Sequence, residues 1–380
     1  MGYLHVEINT AQSSKKKNAV CGDAFTFVRK PEATYILLSD GIGSGIKANV
    51  YAGMTINRLK TLIESGLSLR GAFAGLVKTM HTARGTDLPY AVFSVIQILK
   101  NGETTILAYE MPEGIFVGHR SATPLRKRDY ALGSEVISET NLFLDPGEGI
   151  IVYSDGISQA GIGLTTRTGW SAKEICSFLN NHLFDSADMG ATMIHDRARE
   201  LWQGHRGDDC TVISAFCRTG IVLNIFTGPP ADRSIDGRIV REFCSGEGLK
   251  VVSGATTARV VANGLSQKLK INQDDHSLIS PPGYHIDGID LVTEGAVTLN
   301  QVYNILDVDP VKFEPDSSVS RLCEMIRSAD RINFLVGNAE NEAHEDISFR
   351  QRGIIPRKKI VRILAERLEQ IGKLVKITSF

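Results

Sequence analysis

The apolar positions of the first half of the chain follow two rhythms. Residues 3–10, 25–30 and 34–39 form short runs typical of strands, and the last of these, TYILLS, stops abruptly at the glycine turn DGIGSG. From Ile46 to about Leu67 the apolar residues Val50, Met54, Ile56, Leu59, Leu62 and Ile63 return at helical spacing, and Leu69 to about Met80 repeats the pattern. Two consecutive helices are therefore predicted after the turn. The segments YAVFSVIQIL, ETTILAYE, GIFVG and GEGIIVYS then read as strands separated by Gly, Pro or Asn-Gly. Helices over 172–183 and 189–202 and a last strand, CTVISAFC, close this half. Strands and helices that come in runs predict an α+β domain built on antiparallel sheet.

Past Arg218 the rhythm changes to strand, glycine-rich loop and helix. IVLNIFTGPP leads to a helix near 232–247, LKVVSGATTA to one near 257–265, IDLVTEG to one near 297–305, and RINFLVGNA to a more irregular segment. That alternation predicts an α/β, doubly wound parallel sheet. The expected division is a domain over 1–218 and a second over 219–380. Lys358 to Leu374 mixes basic and apolar residues at helical spacing, as in a C-terminal amphipathic helix packed on its own sheet.

Composition narrows the class of protein. A length of 380 residues favours two domains, and 42% apolar with 22% charged residues is a globular balance. No run reaches the roughly 18 uninterrupted apolar residues of a membrane helix. The N-terminal stretch places its lysines after its apolar residues, the reverse of a secretory signal, so a cytoplasmic location is expected. A net charge of −1 gives no global attraction to nucleic acid, and neither nucleic acid nor membrane is an expected partner. The cysteines Cys21, Cys176, Cys210, Cys217, Cys244 and Cys323 lack C-x-x-C spacing and read as reduced thiols.

Candidate chemistry lies in four acidic signals: CGDAF with Asp23, LSDGIGSG with Asp40, YSDGI with Asp155, and GDDCT with Asp208 and Asp209. Each Asp-Gly alone is an ordinary turn dipeptide. The ordered set is more informative, because three of the signals adjoin predicted strands, where a rigid sheet can hold carboxylates within coordination distance of one another. Carboxylates, carbonyls and water are the hard ligands that suit Mg²⁺ or Mn²⁺. GIGSG lacks the Lys-Ser/Thr of a phosphate-binding loop, and the histidines show no metal-binding spacing.

On these motifs, residues 3–218 resemble the phosphatase 2C-like, metal-dependent protein phosphatases, in particular the bacterial sporulation-protein-E (SpoIIE) branch. DGIGSG carries the resemblance to that branch, since eukaryotic members place a His after the Asp-Gly. The resemblance implies a β-sandwich flanked by helices, with a site for two, or with a further one three, Mn²⁺ or Mg²⁺ ions at one edge. Asp40 would bridge two ions and the Gly41 carbonyl would complete a coordination shell. Asp155 and Asp208 would bind on the far side, Asp23 would hold metal-bound waters, and Asp209 would take the family's Asn position. Lys17, within the cluster Lys15–Lys17, is a candidate for the substrate phosphate, where many relatives have an arginine. The implied activity is dephosphorylation of phosphoserine or phosphothreonine in a regulatory protein.

The second half resembles no family strongly enough to name. TGPPADR, SGATTA and TEGAVT end predicted strands, and in a doubly wound sheet such loops gather at one edge. Thr227, Gly228, Gly254, Thr256, Thr257, Glu294 and Gly295 are thus candidates for a small-molecule or phosphate-containing ligand, or simply for tight turns and caps. Two readings stay open beside the phosphatase: a catalytically silent metal-binding signalling module, and a C-terminal small-molecule-binding or enzymatic domain controlled by the first half; a homodimer is a further candidate assembly.

Overall fold

The computed structural model describes residues 2–15, 19–43, 45–86, 90–182, 190–205, 207–271, 284–308, 317–339 and 353–380. Contacts divide the chain into two compact units, one over Tyr3–Thr219 and one over Gly220–Phe380.

The first unit runs β1 (Leu4–Ser13), β2 (Asp23–Arg29), β3 (Ala33–Gly41), α1 (Ile46–Glu64), α2 (Leu69–Gly85), β4 (Ala91–Leu99), β5 (Glu103–Tyr109), β6 (Ile115–Val117), β7 (Ala122–Pro124), β8 (Arg128–Leu132), β9 (Glu135–Phe143), β10 (Gly149–Tyr153), α3 (Asp155–Ser158), α4 (Ala172–Asn181), α5 (Gly190–Leu201) and β11 (Cys210–Thr219). Two antiparallel sheets result, one ordered β1-β11-β10-β6-β7 and the other β2-β3-β4-β5-β9-β8.

Side-chain alternation explains the layers. In β3, Ile36 and Leu38 enter a core shared with Val152 and Ile213 of the other sheet, while Leu37 between them packs with Leu59 and Phe73 of α1 and α2. In β10, Ile150 and Val152 face the same inter-sheet core, whereas Ile151 and Tyr153 meet Leu179 of α4 and Ile194 of α5. Each central strand is buried on both faces and therefore reads as an uninterrupted apolar run. The unit is a β-sandwich with helices on both outer faces.

The second unit runs β12 (Val222–Thr227), α6 (Asp236–Ser245), β13 (Leu249–Ser253), α7 (Ala255–Gly264), β14 (Lys270–Ile271), β15 (Tyr284–His285), β16 (Leu291–Thr293), α8 (Ala296–Ile305), α9 (Ser318–Ser328), β17 (Arg331–Val336), α10 (Arg357–Gln370) and β18 (Leu374–Ser379). Its sheet is ordered β14-β15-β16-β13-β12-β17-β18, parallel from β16 to β18 and antiparallel through β14 and β15. Phe226 and Val252 pack with α6 and α7 on one face, and Ile225 and Val251 with α8, α9 and α10 on the other. The C-terminal helix is shorter than its amphipathic pattern suggests. It ends at Gln370, and Leu374 opens the parallel edge strand β18 on Arg331–Val336.

Candidate metal centre

The acidic residues singled out by the sequence come from four strand ends at one edge of the sandwich. Asp23 opens β2 and stands opposite Asp40 in the antiparallel ladder with β3, so Asp40 lies within its strand rather than after it. Asp155 is the first residue of α3, directly after β10, and Asp208 and Asp209 directly precede β11. The ends of β10 and β11 are stitched together: Ser154 N–H donates to the Thr211 carbonyl at 3.0 Å, and Thr211 N–H donates to Ser154 Oγ at 2.9 Å.

Asp23 ties the two sheets to each other. Its Oδ2 accepts from the Ser154 hydroxyl at 2.6 Å and the Thr211 hydroxyl at 2.6 Å, while its Oδ1 is buried with no partner among the described residues. Burial pushes the Asp23 carboxyl up to about 6, against the two hydroxyl bonds that favour its charge. Asp40 is pushed further, to about 9, by burial first and then by the charges of Asp23 and Asp155. Its carboxyl also bonds to that of Asp155, which is likewise raised by burial. Gln159 Nε2 donates to Asp155 Oδ2 at 2.7 Å and so holds the second carboxyl of this pair.

Asp208 and Asp209 diverge. Asp208 is part-exposed and pairs with Lys15 Nζ at 3.3 Å, whereas Asp209 is buried and accepts from the Lys15 backbone N–H at 2.8 Å. Among the described residues Lys15 is thus the lysine of this cluster that reaches the carboxylates; Lys17 lies outside the described residues. Gly41 is required sterically, because a Cβ there would stand 2.0 Å from the Ala48 carbonyl oxygen of α1. A Cβ on Gly156 would stand 2.1 Å from the Asp209 carbonyl oxygen.

The neighbouring thiols are held inert. Burial first, and then the Asp23 charge, raise Cys21 to about 12, and the same two causes raise buried Cys210. Beside Asp208 a cavity of about 1170 Å³ opens, with Lys15, Arg199, Trp202 and His205 on its walls.

The donors suit a hard divalent cation in kind: they are oxygens, and one of them, Asp23 Oδ1, is buried and unpaired. Among the described residues no three acidic, histidine or cysteine side chains stand close enough to hold one ion. Ser154 and Thr211 were not singled out from the sequence. Their signals are a serine directly before the Asp-Gly of YSDGI and a threonine following the acidic pair of GDDCT.

Residues 30–217 match the family model for stage II sporulation protein E. This segment is a SpoIIE domain. The SpoIIE and phosphatase 2C homologues are serine/threonine protein phosphatases. Among solved structures, the chain is similar to the phosphatase domain with a fragment of the regulatory domain of SpoIIE from Bacillus subtilis, at 17% identity and a TM-score of 0.47, covering 57% of this chain and 65% of that one. It is also similar to the RsbU and RsbW domains of a Mycobacterium tuberculosis protein, at 16% identity and a TM-score of 0.46, covering 63% and 68%. The catalytic domain of the serine/threonine protein phosphatase PstP, solved with two manganese ions, gives 16% identity and a TM-score of 0.40, covering 57% and 99%. No curated protein matches the sequence.

The candidate residues of the second unit gather at the carboxyl ends of its parallel strands. Thr227, Gly254, Thr256, Thr257, Glu294 and Gly295 line one cavity of about 350 Å³, and Gly228 packs beside it against Arg357. Among the described residues no helix is long and apolar enough to cross a membrane.

Proposed function

We propose that the chain is a metal-dependent phosphatase that removes phosphate from phosphoserine or phosphothreonine in a regulatory protein. The observation that carries this reading is the convergence, inside a SpoIIE domain, of Asp23, Asp40, Asp155 and Asp208 from four strand ends, with a buried Asp23 oxygen left unpaired. Like charges about 4 Å apart repel by roughly 4 kcal/mol at an effective dielectric of about 20, a cost that divalent cations offset. When bound, two or three Mn²⁺ or Mg²⁺ ions would lower the pKa of a water that attacks phosphorus and would neutralise charge on the phosphoryl oxygens.

The chain's own residues divide the remaining work. Asp40 and the Gly41 carbonyl would serve both sides of the centre, Asp155 and Asp208 the far side, and Asp23, fixed by Ser154 and Thr211, would orient water through Oδ1. Gln159 holds the Asp155 carboxyl. Lys15, already on Asp208, places a positive charge at the rim of the large cavity, where a phosphate on an extended peptide segment has room to approach.

We read the second unit as a doubly wound α/β domain that regulates or targets the first. Helices on both faces of a mostly parallel sheet support that reading. The alternative to turnover at this centre is a signalling module that holds metal without hydrolysis.

Hydrolysis of p-nitrophenyl phosphate and of a phosphoserine peptide separates the two. Turnover that needs Mn²⁺ or Mg²⁺, stops with EDTA and is lost in Asp40→Asn and Asp155→Asn supports the phosphatase. Wild-type protein that binds the metal and turns over neither compound supports the silent module.

A further inference from the structure

The 350 Å³ cavity of the second unit brings together unsatisfied donors from four elements. Thr227, the last residue of β12, is fully buried and lines the cavity, and its hydroxyl has no hydrogen-bond partner among the described residues. A buried hydroxyl left without a partner is costly, and one that lines a cavity is satisfied by a ligand placed there.

Two helices begin at the same cavity. α7 starts after Gly254 and α8 after Gly295, and neither has a side-chain cap on its first turn. The two starts adjoin: a Cβ on Gly254 would lie only 3.6 Å from the Gly295 Cα. Their first amides are orphan donors at the positive ends of two helix dipoles.

The fourth element is α10, whose first residue is Arg357. Its Nη2 donates to the Gly337 carbonyl at 3.0 Å and the Ala339 carbonyl at 2.9 Å, which fixes the plane of the guanidinium. Among the described residues its Nε is buried without a hydrogen-bond partner. Gly228 makes room for this group, since a Cβ there would sit 2.2 Å from the guanidinium carbon. Burial lowers the Arg357 pKa, yet a guanidinium stays charged at any physiological pH.

We propose that this cavity binds a small phosphomonoester, its phosphate held by Arg357, the Thr227 hydroxyl and the first amides of α7 and α8. A fixed cation, a hydroxyl and two adjoining helix N-termini match the several oxygens of a tetrahedral dianion better than a planar carboxylate. The volume exceeds what a bare phosphate fills and lies at the small end of metabolite sites. Glu294 on the wall is an acceptor, so the organic part should carry hydroxyl groups. This inference is independent of the metal centre.

The test uses the full-length protein in EDTA, so that phosphate cannot bind through metal at the first site. Thermal unfolding is followed by scanning calorimetry against inorganic phosphate and against ribose 5-phosphate, with chloride at matched ionic strength as control. Both should raise the melting temperature of wild type, and the ester should do so at lower concentration. Arg357→Gln should raise the half-maximal concentration at least tenfold. Thr227→Val should melt no lower than wild type without ligand, because it removes a buried unpaired hydroxyl, and should nevertheless need more phosphate for the same shift. A merely structural threonine would not show both effects, and this variant decides the matter if Arg357→Gln does not fold. No anion-dependent shift in wild type, or equal shifts in wild type and Thr227→Val, overturns the site; equal potency of phosphate and ester overturns the assignment to an ester.

Discussion

Asp23 and Asp40 face each other across the β2–β3 ladder, one fixed by two hydroxyls from the opposite sheet and the other sharing a hydrogen bond with Asp155. The pairing makes Asp40 the residue whose charge is most costly without a cation. Asp40→Asn keeps the shape and removes the charge.

Asp40→Asn should therefore leave the metal-free protein at least as stable as wild type, while abolishing the rise in melting temperature that Mn²⁺ gives wild type. Catalytic turnover should fall by more than the ~10–100-fold typical of losing a residue that only supports a metal ligand. Paired thermal scans with EDTA and with Mn²⁺ check the first statement, and kcat for p-nitrophenyl phosphate checks the second.

Ser154→Ala and Thr211→Val each remove one of the two hydroxyls on Asp23 Oδ2. A hydrogen bond to a charged group is worth about 1.5–3 kcal/mol, so each variant should lose stability of that order in urea unfolding. The apparent Mn²⁺ affinity should drop by ~10–100-fold. The double variant should lose less than the sum of the singles, since both act on one oxygen.

Much of this was legible in the chain because buried strands and their polar stops differ so sharply. The run TYILLS followed by Asp-Gly marked β3, and the spacing of Ile56, Leu59 and Ile63 marked α1, whose same residues lie in the core. The strands within Ala122–Phe143 are not legible from the sequence pattern. The elements β7, β8 and β9 carry Arg128, Asp129, Glu135, Glu139 and Asn141, and β8 lies at the sheet edge, where half-exposed polar side chains blur the alternation. β18 was hidden likewise by Lys376, Thr378 and Ser379.

The carboxylates of the site were visible as types, but their supports were not. A serine and a threonine hydroxyl on Asp23 are long-range contacts that no local pattern encodes. Lys15 and Lys17 are indistinguishable by spacing alone, and only the fold brings Lys15 to Asp208. Arg357 reaches the second cavity from the first turn of a helix whose amphipathic pattern is legible in sequence only from Lys358 onward.

His195 gives a pH dependence outside the metal centre. It is buried on α5, its Nε2 lies 2.8 Å from Ser13 Oγ, and burial lowers its pKa below the usual 6.5, against a smaller opposing pull from Asp196. With the folded value depressed, the unfolded chain binds the proton more readily. The contribution of His195 to stability should thus be constant above about 6.5 and fall as pH drops below it. Urea unfolding between pH 5 and about 8 measures the slope, and His195→Gln should flatten that segment; an unchanged slope would assign it to other groups.

Gly41→Ala tests how tightly α1 is keyed to the site. The added methyl would meet the Ala48 carbonyl at 2.0 Å, and Ala48 itself is fully buried. Neither backbone can yield without moving, because Gly41 is paired with Ala91 in the β3–β4 ladder and Ala48 lies in the first turns of α1. Overpacking of this kind costs typically 1–3 kcal/mol. The displacement falls on the residue whose carbonyl the proposed centre uses and on the neighbour of Asp40, so the loss of Mn²⁺ affinity should exceed the loss of stability. A stable variant with wild-type Mn²⁺ binding would show that the Gly41 carbonyl is not a ligand. A variant destabilised and metal-blind together would be separated from simple unfolding by Ala72→Val, which crowds α2 in the same outer core, away from the carboxylates, and should lower stability without changing Mn²⁺ affinity.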